Sequence, residues 1–112
     1  MSGFLLHPDV YGDLDEIWEF IAQDDPEAAD RVREEIYNGI RGLVSFTHQG
    51  HTRPDLTSRP LRFWRVRNYL IAYAADEAPL WVVAIMHGQR SPRVMAAILR
   101  GRDEEIREDD PT

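Results

Sequence analysis

The apolar positions of this chain change period along its length, and the changes divide it into elements. Residues 3–7 are a short apolar run stopped by Pro8, which predicts a first strand. Pro8 suits the first turn of a helix, with Asp9 beside the positive end of its dipole. Val10, Leu14, Ile17, Trp18, Ile21 and Ala22 then fall on one helical face, while Asp13, Asp15, Glu16 and Glu19 take the other. Residues 23–27 end that helix and begin a second, with Asp25 the expected N-cap and Pro26 at the first helical position. In the second helix Ala29, Val32, Ile36, Ile40 and Leu43 recur at spacings of three and four. The two helices read as an αα-hairpin.

Residues 45–60 are rich in Ser, Thr, Gly, Pro and His and read as a loop, after which the period falls to two. Leu61–Arg67, Tyr69–Ala74 and Leu80–His87 are β-branched or aromatic runs, and three consecutive antiparallel strands make a meander. Alternation in the first run sets Arg62, Trp64 and Val66 against Leu61, Phe63, Arg65 and Arg67. Trp64 and Val66 are expected to face the core, leaving Arg65 and Arg67 towards solvent. Ser91-Pro92 begins a short C-terminal helix that runs to Arg102. The order β-αα-βββ, with helices segregated from a mostly antiparallel sheet, gives an α+β fold. One domain spans residues 1–102, and the acidic tail 103–112 is expected to fray.

Composition narrows the function classes. With no cysteine among 112 residues, disulfide scaffolds, Cys-ligated zinc and thiol catalysis are all removed. No apolar run approaches the ~18 residues of a membrane span, and no basic segment precedes an apolar one at the start. The expectation is a soluble, cytoplasmic protein. Net charge is −7, unevenly spread: residues 1–40 hold eleven acids against two arginines, and residues 87–102 hold four arginines and no acid. All thirteen basic residues are Arg, which a GC-rich genome would explain, although coding bias does not explain the clustering.

Candidate chemistry is sparse. The four histidines are scattered, and His48 and His51 share a loop with only Asp55 nearby as a third ligand, so no metal site is expected. There is no P-loop, no GxGxxG and no GxSxG elbow, hence no expected cofactor. The N-terminal carboxylates read as a solvated helical face. Arg59, Arg62, Arg65 and Arg67, interleaved with Phe63 and Trp64, read either as an anion- or partner-binding patch or as partners for the acidic helices. His87, ending a buried strand before Gly88-Gln89-Arg90, reads either as a general acid or base or as a satisfied structural histidine. Phe20 sits off the apolar face of its helix and suggests a partner contact.

These pieces in order resemble one family. Asp13-Leu14-Asp15-Glu16-Ile17-Trp18, then Pro26-Glu27-Ala28-Ala29, Leu43, Gly50, Arg53-Pro54-Asp55-Leu56, Arg62-Phe63, Tyr69-Leu70-Ile71-Ala72-Tyr73 and His87-Gly88-Gln89-Arg90 together look like the RelE/ParE toxin superfamily of type II toxin–antitoxin systems, over about residues 4–99. The resemblance implies a two-helix hairpin on a curved antiparallel sheet and a cognate, ParD-like antitoxin. Trp18 and Phe20 would then be its contacts, with an amphipathic helix and an added strand as the modes of docking. The Tyr69 strand start and His87-Gly88-Gln89-Arg90 are similar to the ParE branch, which poisons DNA gyrase by binding. Arg65, Arg67, His87 and Arg90 are the target-binding candidates on that reading. Where ParE-like chains often continue with Asp after that arginine, this one has Ser91-Pro92. The alternatives are a ribosome-dependent mRNA endonuclease of RelE type, with Arg65, His87 and Arg90 as the catalytic set, and a non-toxic degenerate relative. A sequence pI near 5.0 weighs against entry into an RNA-lined site.

Overall fold

Three helices and four strands follow in the order β1 (Phe4–Leu6), α1 (Pro8–Ala22), α2 (Pro26–Ser45), β2 (Leu61–Val66), β3 (Tyr69–Ala74), β4 (Leu80–His87) and α3 (Pro92–Glu108). The computed structural model describes residues 3–108, and for 103–108 the backbone alone. The helix ends follow from local chemistry. His7 caps α1, its Nδ1 accepting from the Asp9 N–H at 3.0 Å, with Pro8 in the first turn. Asp25 caps α2 through one carboxylate oxygen that accepts from Glu27 N and Ala28 N. Both caps satisfy donors that a helix start leaves orphaned.

The sheet order is β1-β4-β3-β2. The antiparallel meander β2-β3-β4 has the expected order, but β1 joins it as a fourth strand, parallel to β4, so the sheet is mixed. The crossover through the αα-hairpin allows this parallel pairing, which tight hairpins cannot make. A further irregularity lies inside β4. Ala72 pairs with Ala84 while Tyr73 pairs with Val82, so Val83 is an extra residue, a β-bulge.

Both faces of the sheet are covered. On one, Val10, Leu14, Val32, Ile36, Ile40 and Leu43 of the hairpin pack against Tyr69, Ile71, Tyr73, Val82 and Ile85, with Trp64 and Val66 joining them. On the other, Leu56 from the long loop and Met95 and Leu99 of α3 cover Leu61, Phe63, Leu70, Val83 and Met86. Burial on two faces is why every residue of β3 is buried, with no polar alternation. Gly39 lets α2 lie close to β2, since a Cβ there would stand 2.7 Å from Val66 Cγ2. The last helix continues through Glu108 and so takes in residues 103–108, which the charge pattern assigned to the tail. The rest of that tail, 109–112, lies outside the described residues.

The loop before β2 is tied down by Tyr73. Its hydroxyl, inside the core, accepts from the Gly50 N–H at 2.9 Å, while His51 and Phe63 exchange backbone bonds alongside. Burial raises the Tyr73 phenol above its ordinary range, so it stays protonated. Replacing Tyr73 by Phe should strand the buried Gly50 N–H and lower stability by about 1–3 kcal/mol in urea unfolding. A variant as stable as the parent would mean that water reaches Gly50 instead.

Candidate functional site

The main concavity is a groove of about 530 Å³ that straddles the outer edge of β4. One wall is a stripe of α1 (Asp13, Glu16, Ile17, Phe20), spaced three and four apart as one helical face requires. The other wall carries Ile98 and Arg102 of α3, and His87 and Arg90 close one end. The groove exists because β1 is short: it pairs only with Leu80, Trp81 and Val82, so β4 outruns it. Past that point side chains take over the backbone groups of the edge. Asp13 Oδ2 accepts from the Ile85 N–H at 2.9 Å, and Arg102 Nη1 donates to the Val83 carbonyl at 3.0 Å. The two side chains also form a two-pronged ion pair at 2.6 and 2.8 Å, with side chains only 14% and 13% exposed. Asp13 was expected on the solvent side of α1. It lies instead against the sheet edge, where an acceptor for a backbone N–H decides its position more than helical periodicity does.

Each candidate residue from the sequence has a definite place. Phe20 is 70% exposed on the groove wall. Trp18 does not share that wall. Its indole N–H donates to Asp30 at 2.8 Å and Arg33 lies over its ring, so it braces α1 to α2. His87 lies edge-on to the Tyr69 ring at 5.3 Å, and its Nδ1 accepts from the Gln89 N–H at 3.1 Å. Its ring therefore stabilises the turn that presents Arg90. The Arg90 guanidinium is exposed at the groove end, with no hydrogen bond or ion pair to another described residue.

The arginine-rich strand divides its side chains more finely than alternation predicts. Trp64 and Val66 do pack towards the hairpin, and Arg65 is exposed. Arg62 is bound inward, donating to the Gly50 carbonyl at 2.7 Å. Arg67 is not in the strand. It occupies the two-residue turn between β2 and β3 with φ of 54°, a left-handed value that such hairpin turns demand. From there its guanidinium reaches back to α2 and holds both carboxylate oxygens of Glu35, at 2.5 and 2.9 Å. Register separates Arg65 from His87. Arg65 aligns with Leu70 and Met86, whereas His87 aligns with Tyr69 and Val66 on the opposite face. The groove thus collects Phe20, His87 and Arg90, and leaves Arg65, Arg67 and Trp18 elsewhere.

Burial pushes the Tyr69 phenol up, away from the range in which it could act as a base. His48 faces Asp76 at 3.2 Å, and no group of three or more potential ligands among the described residues could hold a metal ion. No helix among them is long and apolar enough to cross a membrane. Arg102 was the residue missed: nothing local in the sequence couples it to Asp13 across the length of the domain. The family model described as ParE toxin of type II toxin-antitoxin system, parDE, matches residues 4–92. No curated protein matches the chain.

The Arg67–Glu35 pair gives a test of the turn. The Arg67 hydrogen bonds hold the Glu35 carboxyl below the ordinary glutamate range. A lowered folded value means that the pair's contribution is complete above the ordinary range and is lost as pH falls through the lowered one. Carboxyl titration by NMR should show Glu35 titrating late on acidification, and Arg67→Ala should return it to the ordinary range. An unchanged titration in that variant would remove the contact from the solution structure.

Proposed function

We propose a function from one premise: the chain belongs to the ParE toxin family of type II toxin–antitoxin systems. Family membership carries the role of toxin. Beyond it, the protein inhibits DNA gyrase in the cytoplasm by binding, without chemical turnover, and a cognate antitoxin neutralises it at the groove beside β4. The observation that carries this reading is the lining of the groove, which takes in Phe20, His87 and Arg90 but not Arg65. A nuclease built on Arg65, His87 and Arg90 would need all three around one phosphate; Arg65 and His87 leave the sheet on opposite faces, and the Arg65 guanidinium lies against Gly88 outside the groove lining. What remains is an exposed aromatic, an apolar wall and an unpaired arginine at a sheet edge, the composition of a protein-binding site.

Induction of the toxin should therefore raise the DNA-damage response and trap gyrase on broken DNA while bulk mRNA stays intact. Toeprinting that revealed cleavage at ribosomal A-site codons within minutes would overturn the binding mechanism. Phe20→Ala should leave thermal stability near that of the parent, because the ring is exposed. It should nevertheless weaken the antitoxin complex by about 2 kcal/mol, the scale of an aromatic anchor. Calorimetric titration of the parent and variant would measure it, and equal affinities would move the antitoxin away from this wall.

A further inference from the structure

Charge is divided across the sheet as well as along the chain. The hairpin on one face carries the acids of residues 1–40, whereas α3 on the other has two arginines and no acid over residues 92–101. Met95 and Leu99 turn that helix to the core, which leaves Arg93, Ala97, Arg100 and Gly101 exposed. Arg93 and Arg100 are two turns apart, so they share one side of the helix at a separation of about 10 Å. Neither guanidinium has a hydrogen bond or ion pair to another described residue. Beside them the 54–59 loop forms a cleft of about 480 Å³ with Ala96 and Arg100, and Arg59 ties that loop to α3 by donating to the Leu99 carbonyl at 3.3 Å. Asp55 lines the same cleft, but both of its oxygens already accept from Arg53, at 2.9 and 2.8 Å. Arg65 leaves β2 on this face too. It is exposed, and its guanidinium nitrogens stand 3.2 and 3.3 Å from where a Gly88 Cβ would lie, at the end where the chain enters α3.

We propose that this face, through Arg65, Arg93 and Arg100, seats the phosphate backbone of duplex DNA, so that the toxin has an affinity for DNA of its own. The inference makes no use of the gyrase reading and does not fall with it. A duplex presents about one charge per 1.7 Å of its axis, so a row of cations about 10 Å long on a rigid helix meets several phosphates at once. The chain as a whole carries −7, but the acids of the hairpin lie across the sheet. Exposed charges beyond about 8 Å are largely screened at physiological salt, so the local arginines govern the approach. Ala97 and Gly101 keep the surface between and beside the two helix arginines low, which lets a backbone lie close to it. Single strands bind by stacking their bases on aromatic rings. The exposed rings of the described residues, Tyr11, Phe20 and Phe46, belong to the hairpin or cap its end, so the α3 face favours a duplex. Its contacts go to phosphate and carry no sequence information.

Fluorescence anisotropy of a short labelled DNA duplex, titrated with the full-length toxin in the absence of gyrase and antitoxin, tests the seat. Three phosphate contacts give a log–log salt slope of about −2.7, so affinity should fall about fortyfold between about 50 and 200 mM salt. The double variant Arg93→Ala, Arg100→Ala should bind more weakly on every sequence, with a slope near −0.9 and a fall of about threefold over the same range. Replacing both by Lys should keep most of the slope, because a phosphate accepts a point charge where a protein carboxylate needs the fork. Arg41→Ala, on the hairpin, should change neither affinity nor slope. No binding at the lower salt overturns the proposal, as does a slope that the double Ala variant leaves unchanged or that Arg41→Ala reduces. Tighter binding of single-stranded DNA or RNA of the same length overturns the duplex as the partner. If the double variant does not fold, NMR titration of the parent decides: amides of 93–101 should shift on adding the duplex, and shifts confined to the hairpin would remove the seat from α3.

Discussion

A strand buried on both faces must still satisfy the hydrogen bonds along both of its edges, and β4 meets that requirement in three different ways. Towards β3 it has a full antiparallel partner. On the other side it has three residues of β1 and then two side chains that imitate a strand. The bulge at Val83 sits where the second arrangement gives way to the third. Asp13 and Arg102 are therefore placed by the backbone groups they serve. Their ion pair lies between α1 on one face and α3 on the other, at a site with little exposure to water. Breaking such a pair from one side leaves a charge without its partner, which is costly where solvent is scarce.

The parts of the fold legible in the sequence were those with local causes. Helical spacing identified the buried stripe of α2 in full, and Asp25-Pro26 marked its start. Period-two alternation placed Trp64 and Val66 on the hairpin side of β2, but the face expected to be open is covered too, with Leu61 and Phe63 buried under the long loop and α3. Long-range causes left no such trace. Asp13 has the periodicity of a surface residue and is drawn inward by an N–H seventy-two positions away. Arg67 continues the alternation of β2 on paper, yet a turn needing a left-handed residue intervenes. The parallel pairing of β1 and the extra residue in β4 depend on where the chain returns, which no window of a dozen residues contains.

Charge clustering was informative in a limited sense. The acidic hairpin and the arginine blocks do meet, at Glu35–Arg67 and Asp13–Arg102, so part of the asymmetry is internal pairing. Both contacts, with Arg53–Asp55, use two nitrogens of one guanidinium on one carboxylate. That geometry belongs to arginine and not to lysine, so codon usage is an incomplete account of the lysine-free composition at these three positions. Arg90 stands apart as the exposed cation on the groove.

The parallel pairing of β1 also bears on the order in which the molecule is completed during synthesis. Phe4–Leu6 is made before every other described strand, yet it finds its partner only when Leu80–Val82 has been made. Asp13 waits still longer for Arg102, 89 residues downstream. The hairpin can form early from neighbouring contacts, but its sheet-facing side stays uncovered until the meander arrives, because non-local pairing follows chain closure. The groove, framed by one element from each end of the domain, is thus among the last features to exist. A nascent chain stalled before α3 would hold the hairpin without the finished groove, so whatever that groove does waits for the last described helix.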